Sequence, residues 1–309
     1  MTTIANFQGT NPSNNSFIDQ AKKIYESSFK GGLGVSLSTI GKQPGSWLNN
    51  LYDDEGWWAL AWIQVYDVAG NATYLHAAQD IYADMKAGLS QTTCGGLIWQ
   101  KDQKSISSIE NSIFLDVAAK LAVRVSNGEE DYFSAALTHY QWIFNQSGLP
   151  TSSNLIADAI NPGTCKPYDG RLLTYNQGSI IGALVSLYKA TDNDETYLTL
   201  ATTIALASIS HFSNSDAGIL TEDCDPNCDT TAAQFKGVFI RNLASLQQLR
   251  PREDIRGFIR RNAESIWSRD RSQGDKLGSA WVGPYQDGDV SAMCSGLDGL
   301  VAAVVVGGD

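Results

Sequence analysis

The run Leu51-Tyr52-Asp53-Asp54-Glu55-Gly56-Trp57-Trp58-Ala59-Leu60-Ala61-Trp62 sets three carboxylates ahead of a glycine and three indoles. Glycoside hydrolysis needs two carboxyl groups with different jobs. One is a protonated acid for the leaving oxygen, and the other an ionised nucleophile or base. Neighbouring Cα atoms lie about 3.8 Å apart. Asp53 and Asp54 can therefore bring their carboxyl groups to about 5–5.5 Å, the spacing of a retaining mechanism, more easily than to the roughly 6.5–9.5 Å of an inverting one. Like charges this close split their titrations and keep one proton on near neutral pH. The same acids also suit a plainer role, because Asp and Glu complement the dipole at a helix N-terminus. On the functional reading the carboxylates stand at the mouth of a cavity walled by indole rings.

Metal chemistry fits this run poorly. An Asp-Asp-x-x-Asp diphosphate site would need an acid where Trp57 stands, and a calcium loop needs alternating acids. Tyr175-Asn176-Gln177-Gly178 opens a helical stretch with groups that can bond sugar hydroxyls or simply cap the helix. Gly95-Gly96-Leu97-Ile98-Trp99 and Trp281-Val282-Gly283-Pro284-Tyr285 place rings beside glycines, as sugar stacking or loop packing requires. Asp158 is a lone acid in an apolar loop that could hold a hydroxyl pair. Lys236 and Arg241 lie on an otherwise apolar helix, where structural ion pairs are expected. His76, His139 and His211 are isolated on helix faces. No nucleophile-elbow, P-loop or dinucleotide element stands in a fitting context.

The elements that position these residues are helical. Apolar residues recur at helical spacing in about ten segments, read as 16–29, 55–68, 72–87, 107–126, 131–145, 176–190, 195–212, 231–249, 252–268 and 291–305. Asn71 is a candidate cap, and Pro251 opens a segment near its first turn. A weak repeat joins Tyr66–Asn71 with Tyr74, Ser126–Glu130 with Tyr132, and Tyr188–Asn193 with Tyr197. Each marks a helix end, a polar turn and a new helix opening on an aromatic. Helical hairpins of this kind build a solenoid or a closed toroid. Long, variable loops favour the toroid. No linker divides the 309 residues, so they read as one domain, 1–309.

A net charge of −11 argues against nucleic acid or an anionic membrane as partner. With 3 His against 8 Trp and 12 Tyr, chemistry built on histidine clusters is excluded. No stretch has the length of a membrane span, and the start carries no signal peptide. Cys224-Asp225-Pro226-Asn227-Cys228 suits a local disulfide better than half a zinc site. Five cysteines leave at least one unpaired. With the sequons at Asn14, Asn71 and Asn145 they lean towards a secreted protein.

The run Tyr52–Ile63 resembles the signature of glycoside hydrolase family 76, the α-1,6-mannanases, and is most similar to secreted fungal members. Further elements agree in order: Cys94-Gly95-Gly96 with Trp99, Asp158, Thr174-Tyr175-Asn176-Gln177-Gly178, Gln234–Leu243, Asn262–Trp267, Trp281–Pro284 and Leu297–Ala303. The resemblance covers nearly the whole chain. It implies an all-α (α/α)6 toroid and retaining hydrolysis of α-1,6-mannosidic bonds, with no metal or organic cofactor. It places the nucleophile on Asp53 and the acid/base on Asp54. Cleft-lining roles fall to Asp158, Tyr175, Asn176 and Gln177, beside Trp57, Trp99 and Trp281. The implied substrate is α-1,6-linked mannan or a mannose-containing glycan, the protein a monomer, secreted or cell-wall associated when full-length. A transglycosylase of glycosylphosphatidylinositol-linked glycans and a non-catalytic glycan-binding scaffold are the alternatives. Such a toroid has twelve helices against the ten or so read here. Thr2–Phe7 reads as the tail of a helix begun in mid-element, so part of the first hairpin is expected to be missing.

Overall fold

The computed structural model describes residues 2–10, 16–31, 47–125, 130–168, 170–213 and 217–307. Among them are eleven α-helices: α1 (Thr2–Thr10), α2 (Ser16–Gly31), α3 (Tyr52–Ala69), α4 (Ala72–Ala87), α5 (Ser108–Arg124), α6 (Tyr132–Asn145), α7 (Thr174–Ala190), α8 (Glu195–Phe212), α9 (Phe235–Leu249), α10 (Glu253–Arg269) and α11 (Val290–Val306). All ten segments read from apolar spacing are helices, and Thr2–Phe7 lies in α1. The sequon at Asn14 lies outside the described residues.

The turns of the repeat are capped, at Asn71 as expected and at two aspartates besides. Asn71 accepts from the Thr73 N–H, Asp131 from Ser134 and Asp194 from Thr196. Each cap satisfies an N–H that the helix cannot. The aromatic that follows each cap, Tyr74, Tyr132 or Tyr197, is buried and anchors its helix.

The chain divides into two compact units, Met1–Pro150 with Ala157–Gly170, and Thr151–Ile156 with Arg171–Asp309. In the first, α3 pairs with α4, α5 with α6, and α3 packs on α5. Gly56 permits that last contact: a Cβ there would stand 2.2 Å from Ile113 Cγ2. A core of rings lies under α3. Trp62 is within 6 Å of Trp47, Trp58, Tyr25 and Tyr74, stacked on the last at 5.5 Å. Trp62 is fully buried. Trp62 is therefore part of the packing, and Trp58 beside it is half-buried.

A small antiparallel sheet completes this unit: β1 (Ile106–Ser107), β2 (Ala159–Asn161) and β3 (Lys166–Pro167). Ile106 pairs with Ile160, and Ser107 with Ala159. The Cys94–Cys165 disulfide ties the loop after α4 to the β2–β3 turn. In the second unit α7 packs on α8 and α9, and α11 on α9 and α10. Cys224–Cys228 is the local disulfide expected, and Cys294 is an exposed free thiol.

Candidate active site

The acids of the first unit occupy the opening turn of α3. Asp53 is half-buried, Asp54 exposed and Glu55 fully buried. Their place at a helix N-terminus is favourable for negative charge. The start of α3 is fixed from outside the helix. Tyr52 N–H donates to the Trp99 carbonyl at 3.0 Å, and Lys101 N–H to the Asn50 carbonyl at 3.0 Å. Trp99 N–H in turn donates to Ser105 at 2.8 Å. Residues 97–101 thus form a short rail along which α3 begins.

The three acids have different partners. The Trp99 indole acts on the Asp53 carboxyl as a donor that favours its charged form, while Asp53 Oδ1 is buried with no hydrogen-bond partner. Asn49 Nδ2 donates to Asp54 Oδ2 at 3.0 Å. Glu55 accepts from Asn49 N–H at 2.6 Å and is ion-paired with Lys101, which also reaches Asp84 at 2.5 Å. Both carboxylates hold Lys101 charged. Glu55 is thus committed to fixing the loop, and Asp53 and Asp54 are the acids of this turn without an ion-pair partner among the described residues. Burial pushes the Asp53 carboxyl up to about 6, opposed by the Trp99 hydrogen bond and reinforced by Asp54. Burial also raises Asp54, with Asn49 pulling the other way. Trp57 is half-buried one turn further along α3.

Two more acids approach this turn. Asp158 is half-buried just before β2, where its carbonyl accepts from Ser108 N–H at 2.7 Å. Glu110 is fully buried in the first turn of α5. It forms a capping box with Ser107, accepting that residue's N–H at 2.5 Å. Sequence reading missed Glu110, although Ser107-x-x-Glu110 has the spacing of a capping box. Burial raises its carboxyl far above the ordinary range, and Asp53 and Asp158 raise it further.

The remaining candidates lie in the second unit. Tyr175 is half-buried and stacks on Phe235, centroids 3.9 Å apart and rings 7° from parallel. Asn176 is buried. Gln177 and Trp281 need correction as sugar contacts. Gln177 is buried, and its amide clamps Ile156, accepting from the N–H at 2.8 Å and donating to the carbonyl at 2.9 Å. Trp281 is fully buried, with Lys236 Nζ 5.5 Å from its ring centroid and Ser265 Oγ donating to its carbonyl at 2.7 Å. Both stabilise loops from within.

Lys236 and Arg241 form the structural ion pairs expected of them. Arg241 meets Asp298 at 2.9 Å. Lys236, almost wholly buried, pairs with Asp225 and donates to the Ser279 carbonyl at 2.5 Å. Cys224, Asp225 and Cys228 offer donor atoms close together, but the disulfide uses both sulfurs. His139 is buried, and its burial lowers it to about 3, so it is neutral. No helix among the described residues is long and apolar enough to cross a membrane.

Comparison with known proteins extends these observations. Over 256 residues the chain is 23% identical to mannan endo-1,6-alpha-mannosidase DFG5 of Saccharomyces cerevisiae, covering 76% of this chain. The chain spans about half, 55%, of that protein's length. The α-1,6-mannanase of Salegentibacter sp. HEL1_6 shares the fold, with a TM-score of 0.80 and 22% identity over 98% of this chain and 87% of that one. An inactive variant of that enzyme, altered at two consecutive aspartates and solved with alpha-1,6-mannotetrose, matches at TM-score 0.80 and 21% identity over the same shares. The fold class is thus the all-α (α/α)6 class of these helical proteins. The pattern of glycosyl hydrolase family 76 matches residues 38–305, and the chain belongs to that family.

Proposed function

We propose that this chain is a retaining endo-α-1,6-mannanase acting on mannan or related cell-wall glycans. The observation that carries the reading is the pair of consecutive aspartates at the start of α3, one held by an indole and the other by an amide. The related mannanase is inactive when two consecutive aspartates are replaced, and it binds an α-1,6-mannose oligomer. On this reading the Asp53 carboxylate attacks the anomeric carbon while the glycosidic C–O bond breaks. Asp54 gives its proton to the departing oxygen. Asp54 then takes a proton from water, and the resulting hydroxyl displaces Asp53 from the sugar. The Trp99 N–H favours the ionised form of Asp53, as a nucleophile requires. Asp54 is the more exposed and can exchange protons with solvent. Trp57 and Asp158 in the first unit, and Tyr175 and Asn176 in the second, remain proposed sugar contacts.

We read residues 1–309 as one catalytic domain and the protein as a monomer. The family match running through both units supports the first reading. The two disulfides support a secreted or cell-wall location, since such bonds persist in oxidising compartments.

The test is turnover of α-1,6-mannan by the unmodified chain, Asp53→Asn and Asp54→Asn. Each variant is expected to lose on the order of 100- to 10,000-fold in kcat. Roles follow from pH. With Asp53 as nucleophile, kcat/KM rises with pH through about 6, where that group ionises. A fall through the same point would exchange the two roles. Full activity in either variant overturns the site. Products elongated onto an added acceptor sugar would indicate transglycosylation, and mannan binding without turnover a scaffold.

A further inference from the structure

Among the described residues Glu110 is one of two fully buried glutamates in the first unit, and its circumstances differ from those of the other. Glu55 has Lys101. Glu110 has no ion-pair partner among the described residues. Its Oε1 accepts from Ser107 N–H at 2.5 Å and Asn111 Nδ2 at 3.1 Å, both neutral donors. Its Oε2 is buried with no hydrogen-bond partner. An isolated buried carboxylate is too costly to persist ionised and takes up a proton instead.

The charged groups around it strengthen this conclusion. Asp53 of α3 and Asp158 before β2 are the acids that act on Glu110. On α5 itself Asp116 is paired with Lys120. On α4, Asp84 is paired with Lys101 and Lys86 with Glu130. On α6, His139 is neutral. Among the described residues no cation pairs with Glu110, and two carboxylates oppose a further negative charge.

A chain of contacts leads from Glu110 to the catalytic turn. Asn111 grips both backbone groups of Leu97: its Oδ1 accepts from Leu97 N–H at 2.8 Å, and its Nδ2 donates to Leu97 O at 3.0 Å, sharing its hydrogens with Ser107 O at 2.7 Å and Glu110 Oε1 at 3.1 Å. Leu97 is two residues before Trp99. The Trp99 carbonyl receives the first N–H of α3, and its indole acts on Asp53 as a donor.

We propose that Glu110 is a positioning residue for the catalytic pair: as a neutral acid it steadies the Asn111 clamp on Leu97, so that the Trp99 indole meets Asp53, without adding another negative charge there. The proposal rests on the mannanase reading for its kinetic consequence, and on the carboxyl chemistry alone for its protonation state.

The experiment compares Glu110→Gln, Glu110→Ala, Trp99→Phe and the double variant Glu110→Ala with Trp99→Phe. Infrared spectroscopy at pH 7 is expected to show a protonated-carboxyl band in the unmodified chain that Glu110→Gln removes. In Trp99→Phe the acid limb of kcat/KM moves up by roughly one pH unit, the size of a hydrogen bond to a charged group. Glu110→Ala moves it the same way, and the double variant moves it no further. Glu110→Gln, which keeps the acceptor and is always neutral, leaves the limb in place. A role confined to capping α5 would cost stability without moving the limb. The proposal is overturned by absence of the band, by additive shifts, or by an unmoved limb in folded Glu110→Ala. If the unmodified chain turns over no mannan, the mannanase reading fails. The infrared band and a carbon-13 titration of Asp53 in the same four variants still decide the case of Glu110.

Discussion

Each unit buries a group of acids, and the two groups are built on opposite plans. In the second unit Glu222, Asp225 and Asp270 face one buried amine, Lys236, whose positive charge acts on all three. Glu222 is further bound by the N–H of Thr174 at 2.8 Å and by its hydroxyl. In the first unit Lys101, the cation described beside the acids of α3, is drawn off to Glu55 and Asp84. Asp53 and Asp54 are left with neutral donors. An acid group centred on a cation has one charge balanced and its members fixed in place. An acid pair served only by an indole and an amide can gain and lose protons, as hydrolysis demands. The difference lies in where the lysine goes, not in the number of acids.

Removing each lysine tests this distinction most severely. Lys236→Met leaves buried carboxylates unpaired and is expected to cost about 3–5 kcal/mol of stability. It should leave the acid limb of activity near 6 in whatever fraction remains folded, read by denaturant unfolding beside the pH profile. Lys101→Met removes a positive charge from beside the proposed catalytic pair and leaves the buried Glu55 to take up a proton. It should lower stability by less, because Asp84 can reach water, and it should also move the acid limb upwards. Equal pH profiles for the two variants would break the comparison.

A smaller effect is expected at the floor of the first group. Gly56 lies directly beneath the acids, where a methyl group would press into Ile113. Gly56→Ala should cost about 1–3 kcal/mol through overpacking. It should also reduce kcat, because α3 must shift against α5 and carries both aspartates with it. Unchanged kcat with reduced stability would show that the site tolerates movement of its helix.

Much of this was legible in the sequence because helices announce themselves locally. The caps Asn71, Asp131 and Asp194, and the aromatic after each, depend on neighbours a few residues away. The proposed pairing of Asp53 and Asp54 was legible as a spacing. What separates them from Glu55 is Lys101, which is 46 residues away. Periodicity carries no such information. Trp281 and Gln177 show the opposite failure. An aromatic beside glycine and an amide at a helix start look like sugar contacts in one dimension. Their burial depends on Lys236, Ser265 and Ile156, and only the fold brings these together. Glu110 was missed because a capping glutamate is usually unremarkable. Its interest comes from the Asp53 and Asp158 brought near it.

The finest test of the two plans is the pH dependence of stability. Burial, working against Lys236, raises Asp270 to about 7, and burial raises Glu222 to about 7 against its bonds to Thr174. Asp53 stands near 6 for the reasons given above. In the unfolded chain these groups return to about 4. Between pH 4 and 7 the folded chain therefore binds more protons than the unfolded one, and stability falls as pH rises across that window. The unfolding temperature should be higher at pH 5 than at pH 7.5. General repulsion from the net charge of −11 acts in the same direction, so one variant must separate the two causes. Asp270 has both carboxylate oxygens buried without a hydrogen-bond partner. In Asp270→Asn the group no longer titrates, while the surface charge is nearly unchanged. The fall between pH 5 and 7.5 should then become shallower. A fall of unchanged steepness would mean that the second acid group keeps its charges through Lys236 and differs even more sharply from the first.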